Sequence, residues 1–171
     1  MDESSTGTAP LLVLGLGNDL VSDDGFGPAV AEAVRRGGDV PKSVEVVSAA
    51  VAGFHLLDIL RGRRRALLID VVQTGRSEPG TLSVWPVASS GAARTLGGSH
   101  QMDLATTLEL GHRLGQEMPE SVTVLVAEAK DLLTVREELT PALAAAVDAA
   151  VPLVRRWIET GSVEEGASRE A

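Results

Sequence analysis

The chain has 171 residues and a formal net charge of −9, a length that suits one domain and an acidity that argues against a nucleic-acid backbone or an anionic membrane surface as partner. Its four aromatic residues, Phe26, Phe54, Trp85 and Trp157, leave little on which bases could stack. It contains no cysteine, which excludes disulfides, thiolate metal sites and cysteine nucleophiles.

The first residues, MDESSTGTAP, lack the basic flank and apolar stretch of a secretory signal. No apolar run approaches the ~20 residues of a membrane span. A cytoplasmic protein is expected, with one folded domain over 11–160, a loose polar leader at 1–10 and a loose tail at 161–171. So acidic a surface suggests a monomer in the free state.

In chain order, Leu11 to Leu14 is a short apolar run that breaks into Gly15 and Gly17, followed by Asp23, Asp24 and a helical pattern from about Gly27. This reads as strand, turn and helix. Glycines after a first strand suggest a dinucleotide site, but that fingerprint requires a third glycine where this chain has Leu20. The acid pair also opposes a phosphate at the positive end of the helix dipole, so a cation or a polarised water suits this loop better.

Pro28 is tolerated near the start of the first helix, whose apolar face is Phe26, Val30, Ala33 and Val34, and Gly37-Gly38 ends it. Val44 to Ser48 predicts a second strand, and Gly53 to Arg61 a second helix with Phe54, Leu57 and Leu60 inward. Ala66 to Val72, almost wholly apolar, has the character of a central parallel strand, interrupted by Asp70. Thr81 to Trp85 is another strand, reached by a connection too short for a crossover helix, so it should run antiparallel at the sheet edge.

The segment from Ala88 to Ser99, rich in glycine and serine, reads as a mobile functional loop and leads into His100 and a helix from about Met102 to Gly115, with Leu104, Leu108 and Leu114 facing the core. Ser121 to Ala127 is the fifth strand. The last helix begins with Thr140 as N-cap and Pro141, carries the stripe Leu143, Val147, Val151, Val154 and Ile158, and should kink or end at Pro152. The sum is a three-layer α/β/α sandwich around a mostly parallel five-stranded sheet with one antiparallel edge strand.

Three candidate site residues stand at strand exits or in the loops beyond them: Asp24, Asp70 and His100. An unpaired carboxylate inside a buried strand costs several kcal/mol unless a metal or hydrogen-bond network compensates, so Asp70 is the most informative of them. Its alternative role is to cap a neighbouring turn. Asp24 or Asp23 could instead stabilise the helix start, and which of the pair reaches the site is open. Asp19 could be a ligand too but reads as a solvated loop residue, and His55 and His112 read as non-catalytic. Two carboxylates and an imidazole suit zinc, nickel, iron or manganese. No GxSxG elbow is present.

Three motifs in order, GNDLVSDDGFG, LLIDVVQTGRSEPGTLSVW and SHQMDLATTLEL, resemble those of the hydrogenase maturation endopeptidases. The similarity spans Leu11 to Ile158. It implies a three-layer sandwich with an antiparallel edge strand, and a metal cluster at the residues matching Asp24, Asp70 and His100. It further implies cleavage of a C-terminal peptide from a nickel-iron hydrogenase large-subunit precursor, with the nickel supplied by that precursor, though zinc or another divalent metal could occupy the site. A water activated by the metal or by Asp24 or Asp70 would attack the scissile carbonyl. Where a Gly-x-x-Pro-like segment is expected after the fifth strand, this chain has Ala127-Glu128-Ala129-Lys130. The rival readings are a non-hydrolytic nickel-binding or nickel-delivery protein using the same ligands, and an anion-binding module, which the acid pair disfavours.

Overall fold

The computed structural model describes residues 8–50, 54–87 and 104–163, apart from the side chains of Phe54 and Pro86. The leader at 1–7, the loop at 88–103 with His100, and the tail at 164–171 therefore lie outside the described residues. The strands are β1 (Leu11–Leu16), β2 (Val44–Ala49), β3 (Arg65–Val72), β4 (Leu82–Val87) and β5 (Ser121–Glu128). The helices are α1 (Phe26–Arg36), α2 (Phe54–Leu60), α3 (Leu104–Arg113) and α4 (Pro141–Thr160), with a 3-10 turn at Ser22–Gly25 before α1.

The strands form one sheet in the order β2-β1-β3-β5-β4. Four run parallel, and β4 lies at the edge, antiparallel to β5 with Leu82 opposite Ala127. Alternation along β3 divides the core in two, as the two-residue period of a strand requires. Leu67, Ile69 and Val71 face α1 and α4, whereas Ala66, Leu68 and Val72 face α2 and α3. Both faces are covered, which explains why ALLIDVV is apolar throughout. The expected sandwich is the observed one.

Four expectations need correction. Pro152 does not end α4, which continues through it to Thr160. Pro152 and Asp148, whose carbonyl loses its helical donor, are both solvent-exposed, so water can satisfy that oxygen. Burial of Leu143, Ala146, Ala150, Val154 and Trp157 on the opposite side holds the helix together across the break. That buried stripe is also rotated from the predicted one: Val147, Val151 and Ile158 only flank it, because the helix packs beside α1 on the face that carries Ala146 and Ala150, with Trp157 buried near its far end. Thr140 occupies the N-cap position, but its side chain makes no capping bond. Finally, Leu114, expected in the core, is exposed beyond the end of α3.

The helix α1 is seated directly on the ends of β1 and β3. A Cβ at Gly27 would overlap the carbonyl oxygens of Leu16 and Ile69, and one at Gly15 would overlap that of Gly27. Gly27→Ala should therefore cost about 3 kcal/mol or more, since only backbone stands in the way. At Gly38, where φ is +68° and no atom lies within 4 Å of the added Cβ, Ala should cost only about 1 kcal/mol. Urea unfolding of the two variants tests this, and equal losses would refute the close-packing account.

Candidate active site

The loop between β1 and α1 is built by its glycines and by one asparagine. Gly17 adopts φ +138°, and a Cβ there would strike the carbonyl of Asp24, so the chain folds back on itself immediately after the strand. Asn18 then organises the return. Its backbone carbonyl accepts from Val21 N at 3.1 Å and its side-chain oxygen from Leu20 N at 3.0 Å, while its own N–H donates to Asp24 Oδ2 at 2.9 Å. Asn18 escaped the sequence reading because its contribution is a backbone N–H, which no side-chain pattern announces.

Four buried acids lie at or beyond the carboxyl ends of β1, β3 and β5: Asp23, Asp24, Asp70 and Glu128. This is the edge where parallel sheets present their ligand sites. Hydrogen bonding sorts the four. Asp23 accepts from Thr140 N at 2.8 Å through Oδ1, and from Lys130 N and Asp131 N at 2.9 Å each through Oδ2. It braces the segment joining β5 to α4. Glu128 accepts from Thr74 N and Gly75 N at 2.7 Å through Oε1 and from the Thr74 hydroxyl at 2.8 Å through Oε2, bracing the β3–β4 loop. Both are occupied by structure, and their role explains two residues of the Ala127–Lys130 departure.

Asp24 and Asp70 are different. Asp70 Oδ1 accepts only the N–H of Val71, at 2.7 Å, and its Oδ2 is buried with no hydrogen-bond partner among the described residues. Such an orphan in a native core demands an explanation. Burial pushes the Asp70 carboxyl from 3.8 up to about 7; the Val71 N–H opposes the shift, and the nearby Asp24 charge adds to it. Asp24 therefore lies within electrostatic reach of Asp70, consistent with packing of the 3-10 turn against β3. Of the acid pair, Asp24 is the one whose charge acts on Asp70, while Asp23 is taken up by the N–H groups of the β5–α4 connection. Nor does Asp24 cap α1, whose N-terminus has no side-chain cap.

Asp19 is exposed in its loop, and His55 and His112 are exposed on α2 and α3. By strand alternation Asp70 points to the face that α2 and α3 cover. Residue His100 lies outside the described residues, four positions before α3 begins on that same face. Among the described residues no group of three or more potential ligands comes together. The Asp24–Asp70 pair fits a divalent cation: it would give Asp70 Oδ2 the partner it lacks and relieve the repulsion between two buried carboxylates.

The raised Asp70 value carries a definite sign. Between about pH 4 and pH 7 the folded chain holds a proton that the unfolded chain has released, so stability falls with rising pH by ~1.4 kcal/mol per unit. In chelator, Asp70→Asn should match the wild type near pH 4 and melt at higher temperature at pH 8. A gap that does not grow with pH would refute a strained Asp70. Asp23→Asn, which loses an acceptor for buried N–H groups, should cost about 2–3 kcal/mol in urea unfolding, and Asp24→Asn less than about 1 kcal/mol.

Comparison with known proteins agrees with this fold. The family model for hydrogenase maturation proteases (HycI) matches residues 28–157, beginning just after the Asp24 loop. The hydrogenase 2 maturation protease of Escherichia coli K12 is 30% identical over 155 residues, covering 90% of this chain and 93% of that protein. The hydrogenase expression/formation protein HupD of Rhizobium leguminosarum bv. viciae is 28% identical over 167 residues, covering 92% and 81%. Among solved structures, the hydrogenase maturating endopeptidase HybD of E. coli superposes with a TM-score of 0.75 at 26% identity, over 90% of this chain and 94% of its own. With a family model that matches most of its length and relatives that span nearly all of it, the chain belongs to the hydrogenase maturation protease family.

Proposed function

We propose that this protein is a cytoplasmic, monomeric endopeptidase that removes a C-terminal peptide from the nickel-loaded large-subunit precursor of a nickel-iron hydrogenase, with Asp24, Asp70 and His100 as its working residues. The observation that carries the reading is the buried Asp70 carboxylate, one oxygen unpartnered among the described residues, beside Asp24 at the carboxyl edge of the sheet. Two carboxylates that receive few hydrogen bonds from the described residues, beside acids that are saturated, suit a site completed by something from outside. The nickel of the precursor is in this reading part of the substrate; zinc or another divalent ion could occupy the same place. Asp24, Asp70 and His100 would hold it.

A divalent cation there would supply Lewis-acid polarisation of the scissile carbonyl and acidify a nearby water. The chain's own contribution is positional. Asn18 N fixes Asp24, the Val71 N–H fixes Asp70, and the surrounding apolar strand ends keep bulk water from weakening their interaction with charge. A site that is incomplete without the metal of its substrate would cleave only precursors whose metal insertion is finished.

The test is the intact mass of the nickel-loaded precursor after incubation with wild type, Asp24→Asn, Asp70→Asn or His100→Ala. Wild type should release a short C-terminal peptide only when nickel is present, and each variant should slow release by about 10²-fold or more. An unchanged precursor mass with wild type would overturn the protease reading in favour of nickel binding without hydrolysis.

A further inference from the structure

Large aliphatic side chains are strongly exposed at four described positions, and three of these lie on two segments joined by a bridge. Leu20 is 53% exposed, Leu133 89% and Val135 81%. A parallel bridge pairs Val21 with Arg136, its Ser22 N to Arg136 O bond 2.8 Å long, and sets Leu20 beside Val135. All three belong to the segments that flank Asp24: the loop before the 3-10 turn and the connection from β5 to α4.

That connection is held from several sides. Asp23 takes the N–H groups of Lys130, Asp131 and Thr140. Asp131 Oδ1 accepts from Leu133 N and Thr134 N at 3.1 and 3.0 Å. The Arg136 guanidinium donates to Ser22 Oγ and to the Glu138 carbonyl. Leu132 and Leu139 of the same segment pack on the core, so it is anchored through two leucines while Leu133 and Val135 point away. Nothing in the fold requires those two to be apolar, and a fixed backbone spares a partner the cost of ordering it.

The charges around the patch select the partner. Asp19 adjoins Leu20, and Glu137 and Glu138 follow Val135, all exposed. Against them stands Lys130, since Arg136 is engaged by Ser22, by Glu138 O and, at 3.9 Å, by Asp131.

We propose that Leu20, Leu133 and Val135 form a preorganised docking patch for the large-subunit precursor, which seats on it an apolar segment flanked by basic residues. The inference rests on the protease reading, since the patch serves to bring that substrate to Asp24. It gives the Leu133 and Val135 side chains a role in substrate affinity and none in the chemical step.

Processing rates of the nickel-loaded precursor, measured against precursor concentration, test it. Leu133→Ser/Val135→Ser should raise KM about tenfold or more and leave kcat within about twofold, with the melting temperature unchanged because both side chains are exposed. Glu137→Lys/Glu138→Lys should also raise KM. An unchanged KM in the first variant, or a fall in kcat alone, overturns the patch while wild-type cleavage leaves the protease reading standing. An unchanged or lowered KM in the second overturns a basic-flanked occupant. Failure of wild type to cleave removes the protease reading and the patch with it. A concentration-dependent dimer in sedimentation, abolished by the first variant, would assign the patch to a second copy of this chain instead.

Discussion

An aspartate with no exposed surface sits in the central strand of the sheet, and one oxygen of its carboxylate meets no donor among the described residues. Desolvation disfavours its charge, and the second carboxylate brought up by the 3-10 turn disfavours it further. A sequence selected for stability alone would put an apolar residue there, as at Ile69 and Val71 on either side. The cost is tolerable only because the two apolar layers supply ample burial on either side. Strain of this kind, concentrated at the carboxyl edge of a parallel sheet, marks the place where the structure is built to receive something.

The acids around Asp70 show how one residue type takes opposite roles according to its donors. Asp23 and Asp24 are adjacent in sequence, yet Asp23 is saturated by N–H groups more than a hundred residues away, whereas among the described residues Asp24 receives a single local N–H, from Asn18 on Oδ2. The turn that separates them so sharply includes Ser22 at φ 37°, an uncommon conformation for a residue with a side chain. Arg136 bonds the hydroxyl of Ser22 and holds it there. The bracing that fixes Asp24 thus also fixes the connection that carries Leu133 and Val135, so carboxylate pair and apolar patch share one rigid frame.

Stability and function are drawn from different parts of the molecule. The helix faces and strand interiors carry the apolar burial, and α4 is secure enough to accept a proline in its twelfth position. At the carboxyl edge, three glycines let backbone touch backbone: Gly15, Gly17 and Gly27 press α1 onto β1 and β3. This contact delivers Asp24 to Asp70, and a single methyl group would prevent it.

The order and type of the elements, the antiparallel edge strand and the central placement of β3 were legible in the amino-acid sequence, because hydrophobic periodicity and connection length are local properties. Asp70 was legible too, as the one charge in an apolar run. Long-range packing decided the rest. Which of Asp23 and Asp24 faces the site depends on donors from Lys130, Asp131 and Thr140, which no local pattern connects to the first loop. The survival of α4 past Pro152 depends on which side of the helix meets water, and the core-facing stripe was set by how that helix packs beside α1. A sequence records the chemical character of each side chain; the partner that satisfies or abandons a buried carboxylate exists only once the strands and helices are assembled.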